Sequence, residues 1–274
     1  MNLIDIKSLS KVNISEFLKA EGQPNYRGNQ IYLWLVKGVF SFDDMLNVPK
    51  DLRNKLKEKC YIATAKIERK LVSKHDGTIK YLFKLYDGEF IESVVMKYKH
   101  GYTICISTQV GCKMNCQFCA TGNSGFSRNL TASEMLAQIQ TAQIDNHIKI
   151  SNVVLMGMGE PLDNYDNVIQ FLKLVSSEDN LNIGMRHISL STCGIINKIY
   201  DLANENLQLT LSVSLHAPND SIRNTLMPIN KNFNVDELLK ACKFYIIKTK
   251  RRISFEYAMI SDINDSDDCA IELA

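Results

Sequence analysis

From residue 103 onward the chain alternates five short apolar runs with five amphipathic ones, and this alternation restricts the fold more than any other feature of the sequence. The apolar runs are TICIST (103–108), NVVLMGMG (152–159), RHISLST (186–192), LTLSVSLH (209–216) and RISFEYAMI (252–260). They are too apolar to be half exposed, so they read as strands buried on both faces. Four segments have apolar residues at helical spacing: TASEMLAQIQTAQI (131–144), DNVIQFLKLV (166–175), INKIYDLAN (196–204) and VDELLKACKFYII (235–247). DDCAIELA (267–274) begins another helix. Thr131 and Glu134 are spaced as a helix-capping pair. Such alternation predicts an α/β fold, a parallel sheet covered by helices. In these folds the chemistry gathers at the C-terminal ends of the strands.

The first hundred residues read differently. Residues 1–60 show helical spacing, with FLKAEG (17–22) ending at a glycine and SFDDMLNVPKDLRNKLKEK (41–59) opening on a capping Ser or Asp. Residues 61–97 alternate apolar and polar side chains, with His75-Asp76-Gly77 and Asp87-Gly88 as turns, which is hairpin chemistry. The expected organisation is a helical accessory module over 1–60, a β-hairpin extension over 61–98 and the α/β core over 99–274. Residues 1–100 hold 18 Lys and Arg against 12 Asp and Glu, while the remainder holds 14 against 18. A basic first third suits a partner-binding module, and a lysine-rich solvated surface is the alternative. Lys55, Lys57, Lys59, Lys66, Arg69, Lys70, Lys97 and Lys99 are candidate phosphate contacts, with Lys248, Lys250, Arg251 and Arg252 a second set. No apolar run approaches the ~20 residues that a bilayer-spanning helix needs. The N-terminus has no apolar signal core behind a basic start, so a cytoplasmic chain without membrane partners is expected.

Three of the eight cysteines fall within eight residues, in Gly111-Cys112-Lys113-Met114-Asn115-Cys116-Gln117-Phe118-Cys119, directly after the first parallel strand. Three thiolates wrapped in one glycine-flanked loop suit an iron–sulfur cluster or a zinc ion. A cubane held by three thiolates keeps one iron without a protein ligand, free to chelate a small molecule. Zinc with an outside His as fourth ligand is the alternative. Packing alone does not require this spacing.

These residues resemble the signature of the radical S-adenosylmethionine (SAM) enzymes, C-x3-C-x-φ-C in the loop after the first barrel strand. Further segments resemble one branch of them, the RlmN/Cfr family of rRNA adenine methyltransferases: CISTQVGC (105–112), RNLTASE (128–134), MGMGEPLDNYDNV (156–168), HISLSTCG (187–194), SVSLHAPND (212–220) and LMPIN (226–230). GEPLDNYDN and STCG look more like the RlmN branch, which methylates adenine C2, than the Cfr branch, which methylates C8. The resemblance implies a partial (β/α)6 barrel, here five strands with the sixth missing, preceded by the small helical and β-hairpin domain. It implies a [4Fe–4S] cluster on Cys112, Cys116 and Cys119, with SAM chelated to the fourth iron. Gly159 and Glu160 would meet the methionine moiety of SAM; their alternative reading is a turn glycine and a helix-capping Glu. Ser191, Ser214, Leu215 and His216 match SAM-contacting positions of the family. Glu92 matches its proton acceptor, and Cys105 the cysteine that helps to resolve a covalent RNA adduct. Cys60, Cys193, Cys242 and Cys269 read as packing cysteines.

The implied reaction is methylation of adenine C2 in large-subunit (23S) rRNA and tRNA, with electrons from a donor such as a flavodoxin. In the family the methyl is carried on a cysteine near the C-terminus, after a sixth strand. This sequence stops at Glu272-Leu273-Ala274, inside the helix after the fifth strand. The chain is therefore expected to be a fragment or a truncated product that binds cluster and SAM without completing the transfer. A non-catalytic iron–sulfur or zinc protein that binds RNA is the alternative of another class.

Overall fold

The computed structural model describes residues 3–274. In chain order the elements are β1 (Ile4–Asp5), α1 (Lys11–Ala20), α2 (Tyr26–Val36), α3 (Lys50–Lys59), β2 (Cys60–Tyr61), β3 (Lys66–Val72), β4 (Ile79–Lys84), β5 (Phe90–Tyr98) and β6 (Gly101–Cys105). They continue with β7 (Gln109–Gly111), β8 (Phe126–Asn129), α4 (Ala132–Asn146), β9 (Ile150–Leu155), α5 (Tyr165–Ser176), β10 (Ile188–Thr192) and α6 (Ile196–Asn204). Last come β11 (Thr210–Ser214), α7 (Asp220–Leu226), α8 (Val235–Thr249), β12 (Ile253–Glu256) and α9 (Asp267–Leu273). The chain forms two compact units. No helix of the described residues is long and apolar enough to cross a membrane.

The first unit takes in residues 1–104, 130–150 and 166–183. Helices α1–α3 bury Ile14, Leu18, Ile31, Leu35, Leu52 and Leu56 in one apolar cluster. The expected helix over 41–59 is broken. Ser41 caps a single 3-10 turn, Phe42–Asp44, and α3 starts only after Pro49, whose ring fits a helix start but not its interior. Strands β3, β4 and β5 form the expected antiparallel sheet, in the order β6-β5-β4-β3, with a bulge between Ile67 and Arg69.

The unit boundary departs from the expected divisions at 60 and 98, because α4 joins the N-terminal elements. The helix begins in the expected Thr131–Glu134 capping box and is buried from Ala132 to Ala142. Several of its polar side chains find partners there, although the buried Gln140 Oε1 has none. Gln140 donates from Nε2 to the Leu35 and Val36 carbonyls, Thr141 from Oγ1 to the Ala65 carbonyl, and Ser93 from Oγ to Gln138 Oε1. Buried polar groups need such partners, so these bonds fix where α4 packs.

The second unit takes in residues 105–129, 151–165 and 184–274. Strands β9, β10, β11 and β12 lie parallel in the order β12-β11-β10-β9. Past β6 the chain extends this ladder: Ile106 N–H donates to the Val154 carbonyl at 3.0 Å, and Gly157 N–H to the Ile106 carbonyl at 3.0 Å. Strand–helix alternation is thus present as a mixed-sheet α/β fold. Two elements were not legible in the pattern, the β7–β8 ribbon and α7.

Candidate cofactor site

The cysteine loop stands on a short antiparallel ribbon, β7 paired with β8. Gly111 sits at φ 76°, and a Cβ there would lie 1.9 Å from the Gly125 carbonyl oxygen, so only glycine lets the ribbon close. Cys112 N–H then donates to that carbonyl at 2.8 Å. Cys119 N–H returns to the Cys116 carbonyl at 3.0 Å, and Gln117 N–H reaches the Leu226 carbonyl at 2.9 Å. A Cβ on Gly122 would press within 3.1 Å of the Cys116 carbonyl oxygen. The loop is therefore folded tightly round its cysteines.

The three cysteines form one wall of a cavity of about 280 Å³ at the C-terminal ends of the parallel strands. The rest of the lining comes from Met156, Gly157, Gly159 and Glu160 after β9, Ser191 and Cys193 at the end of β10, Ser214 and His216 at the end of β11, and Glu256 ending β12. Leu215 does not line it; this residue is buried and turns its carbonyl to Arg223. Cys193, expected to be a packing cysteine, does line it, and it packs with Met114, Cys116, Leu226 and Met227.

Glu160 caps the turn after β9, the structural reading of this residue. Its Oε1 accepts from Leu162 N–H at 2.9 Å, which caps the turn Pro161–Asn164, and its Oε2 accepts from Cys193 N–H at 2.7 Å. It is nonetheless part of the cavity wall and is only 4% exposed. Burial raises its carboxyl above the ordinary range, against the pull of those N–H donors. Gly159, at φ 102°, brings the chain so close that a Cβ would sit 2.5 Å from Gln109 Cβ. Gln109 locks the turn to the ribbon. Its Oε1 accepts from Glu160 N–H at 2.8 Å, while its Nε2 donates to Asn129 Oδ1 at 2.8 Å and Asp163 Oδ2 at 2.7 Å.

Glu256 is a site residue that the sequence did not disclose. Its Oε2 accepts from Ser191 Oγ at 2.9 Å and from Ser214 Oγ at 3.1 Å, so one carboxylate orients both serines. Arg223 is another. Fully buried, it donates to the carbonyls of Cys193 (2.7 Å), Ser214 (3.0 Å) and Leu215 (3.1 Å) and to Asn230 Oδ1 (2.8 Å). His216 is left-handed at φ 54°, and its Nδ1 accepts from Ala258 N–H at 2.9 Å, which leaves the proton of the neutral ring on Nε2. Burial lowers its pKa, and its ring meets Phe118 of the cysteine loop edge-on at 4.8 Å.

Cys105 and Glu92 stand outside this lining. Cys105 ends β6 beside the Met156 amide, and burial pushes its thiol up to about 11. Glu92 lies on β5 in the first unit, paired with Lys80 at 2.9 Å. Of the candidate phosphate contacts, Lys57 is held by Asp43 (2.7 Å), Lys59 by Glu21 (2.6 Å) and Lys70 by Asp145 (2.6 Å).

The residues fit an iron–sulfur cluster. All eight cysteines are free thiols. Among the described residues no three His, Cys, Asp or Glu side chains converge on a point for one ion. The three loop thiols stand along a cavity wall instead. That suits a cluster offering each thiolate its own iron better than one zinc ion with every sulfur about 2.3 Å away. Burial holds the Cys112 thiol above its ordinary range and pushes Cys116 up to about 12, so binding metal there releases protons.

Parallel strand ends, a three-cysteine loop and a carboxylate-lined cavity together define a radical SAM type of centre, and known proteins bear this out. Residues 106–274 match the Radical SAM superfamily, and residues 1–62 match the ribosomal RNA large subunit methyltransferase N-terminal domain. A probable dual-specificity RNA methyltransferase RlmN of Clostridium tetani is 52% identical over 273 residues, covering 100% of this chain and 78% of that protein. The corresponding protein of Alkaliphilus oremlandii is 54% identical, covering 100% and 80%. The crystal structure of a radical SAM methyltransferase from Sphaerobacter thermophilus superposes with a TM-score of 0.92 at 40% identity, covering 98% of this chain and 80% of that one. The chain belongs to the radical SAM superfamily and, within it, to the RlmN family of RNA methyltransferases.

Proposed function

We propose that this chain carries the catalytic core of an RNA methyltransferase that adds a methyl group to adenine C2 in 23S rRNA and tRNA. The observation that supports this most is one cavity lined by the three loop thiols together with Gly159, Glu160, Ser191, Ser214, His216 and Glu256. Cys112, Cys116 and Cys119 hold the [4Fe–4S] cluster, and the strand-end wall holds SAM. Together these cofactors supply one-electron chemistry, which adenine C2 requires because a ring carbon without a nucleophilic lone pair cannot take a methyl group by polar transfer.

The protein's own part is binding and orientation. Glu160 ties the β9 turn to the Cys193 amide and presents the edge of its carboxylate to a cationic ligand. Glu256 accepts a hydrogen bond from each of the Ser191 and Ser214 hydroxyls, so both serines keep their lone pairs free to accept from a ligand. His216 packs edge to face on Phe118, which ties the end of β11 to the cysteine loop. Glu92 and Cys105 are the proton acceptor and the resolving thiol on this reading. The core is a partial (β/α)6 barrel, residues 1–60 and the hairpin of 61–98 serve RNA recognition, and a flavodoxin-type donor in the cytoplasm delivers the electron.

Deleting the gene that encodes the chain should remove 2-methyladenosine from nuclease digests of 23S rRNA and tRNA. Restoring it with Cys112→Ala should leave the base unmethylated. Loss of 8-methyladenosine instead, or unchanged rRNA, would overturn the reading.

A further inference from the structure

Lysines of the first unit differ in what they already hold. Lys57, Lys59 and Lys70 are neutralised by Asp43, Glu21 and Asp145. Lys97 and Lys99 are exposed, and no carboxylate of the described residues pairs with either. They sit in the sequence Lys97-Tyr98-Lys99-His100-Gly101-Tyr102, where bases and aromatic rings interleave.

The fold presents this segment as an exposed two-residue turn between adjacent strands. Strand β5 ends at Tyr98 and β6 starts at Gly101, so Lys99 and His100 make the turn. Gly101 has φ 122°, a backbone that favours glycine. The ring of Tyr98, itself 49% exposed, lies parallel to His100, with centroids 5.5 Å apart and planes inclined by 3°. Its phenol donates to Met96 Sδ at 3.5 Å, which restrains the ring. Lys97 Nζ stands 5.9 Å from the centre of the Tyr102 ring.

We propose that this hairpin tip, residues 97–102, is a stacking platform for unpaired nucleotides of the RNA substrate. It rests on the RNA reading above and names where that RNA is gripped. Unpaired bases offer faces that stack on exposed aromatic rings, whereas bases inside a duplex do not. The two unpaired ammonium groups take the flanking phosphates. The pre-stacked Tyr98–His100 pair loses little freedom when a base adds to it, so the contact is ordered before RNA arrives.

The test uses the full chain, reconstituted anaerobically, with a fluorescent twelve-nucleotide oligoadenylate and an RNA duplex of the same length. Tyr98→Ala should weaken oligoadenylate binding about tenfold, with Tyr98→Trp restoring it. Lys97→Ala with Lys99→Ala should lower the slope of log affinity against log salt by about 1.4. Duplex binding should change less than twofold on Tyr98→Ala. Because these side chains are at the surface, the variants should keep the wild-type circular dichroism and melting temperature. Wild-type RNA binding that is indifferent to all these substitutions would overturn the platform alone. A wild-type chain that binds neither RNA would overturn the RNA reading together with it.

Discussion

Replacing Arg223 with Met should loosen the cavity before it touches any ligand. The guanidinium is fully buried and joins the end of β10, through the Cys193 carbonyl, to the end of β11, through the Ser214 and Leu215 carbonyls. Its other amino group fixes Asn230, which also binds Asp220. Met fills most of the volume but donates nothing. Three carbonyls and one side-chain oxygen then lose a charged donor, each bond being worth about 1.5–3 kcal/mol net. Against this stands the relief of no longer burying a cation, several kcal/mol. The balance is a loss of about 3–5 kcal/mol. At about 2–4 °C per kcal/mol for a chain of this size class, the melting temperature falls by roughly 10 °C. Arg223→Lys should recover only a minor part, because an ammonium group cannot span carbonyls on two strands with a planar fork. Anaerobic thermal melts of the metal-free chain measure this directly. A melt within 2 °C of wild type for Arg223→Met would refute the argument that Arg223 braces the strand ends.

The remaining expectations concern the cofactors. Reconstituted protein should hold about four irons and four sulfides. Cys112→Ala, Cys116→Ala and Cys119→Ala should each abolish them, with Cys60→Ala and Cys242→Ala as controls that keep them; uptake of one zinc and no iron would defeat the cluster. Gly159→Ala places a Cβ 2.5 Å from Gln109 Cβ at φ 102° and should weaken SAM binding about tenfold in equilibrium dialysis, as backbone strain of about 1–3 kcal/mol allows. Glu256→Gln should weaken it by a similar ten- to hundredfold, because a charged acceptor of two hydroxyls is lost. The Cys112 and Cys116 thiols are raised in the folded chain, so their contribution to stability is complete below the ordinary thiol pKa of about 9 and is lost at higher pH, for Cys116 as pH rises toward about 12. Iron uptake has the opposite sense, since it must expel those protons. Loading should rise from pH 7 to 9 and release acid that a pH-stat records.

What the sequence disclosed and what it hid have separate physical origins. Strands β9, β10 and β11 were legible because burial demands apolar runs, whereas β12, expected to be buried on both faces, is an edge strand with no buried residue; α4 was legible because Thr131 and Glu134 write its start in the chain itself. The ribbon β7–β8 was not, since strands of three and four residues show no period and their pairing depends on Gly111 meeting Gly125 across the loop. Arg223 was invisible for a related reason. A lone Arg in DSIRNTL reads as a surface residue, and only the carbonyls of Cys193, Ser214 and Leu215, brought in from two other strand ends, make its burial affordable. Glu256 resembled any strand glutamate until β12 aligned beside β11 and set Ser214 against it.

The same geometry explains why the cavity suits cationic occupants. Its lining brings together the three loop thiols and the carboxylates of Glu160 and Glu256, and among the described residues no lysine or arginine lines it. Arg223, the nearest buried cation on this side, spends its donors on carbonyls. In the metal-free chain, protons limit that negative charge: burial raises the Cys112 and Cys116 thiols and the Glu160 carboxyl alike. Each of these shifts has desolvation as its largest cause, so each is reversed by a cation that makes up for the lost water. Iron held by these thiols would replace their protons, and an ammonium or sulfonium group beside Glu160 would lower its carboxyl toward the ordinary range. A dipositive cubane on three thiolates would carry net negative charge where the metal-free thiols are neutral, so it would attract a cationic ligand beside Glu160 and Glu256. SAM should accordingly bind more tightly to the iron-loaded chain than to Cys116→Ala, even where the amino acids that touch it are unchanged.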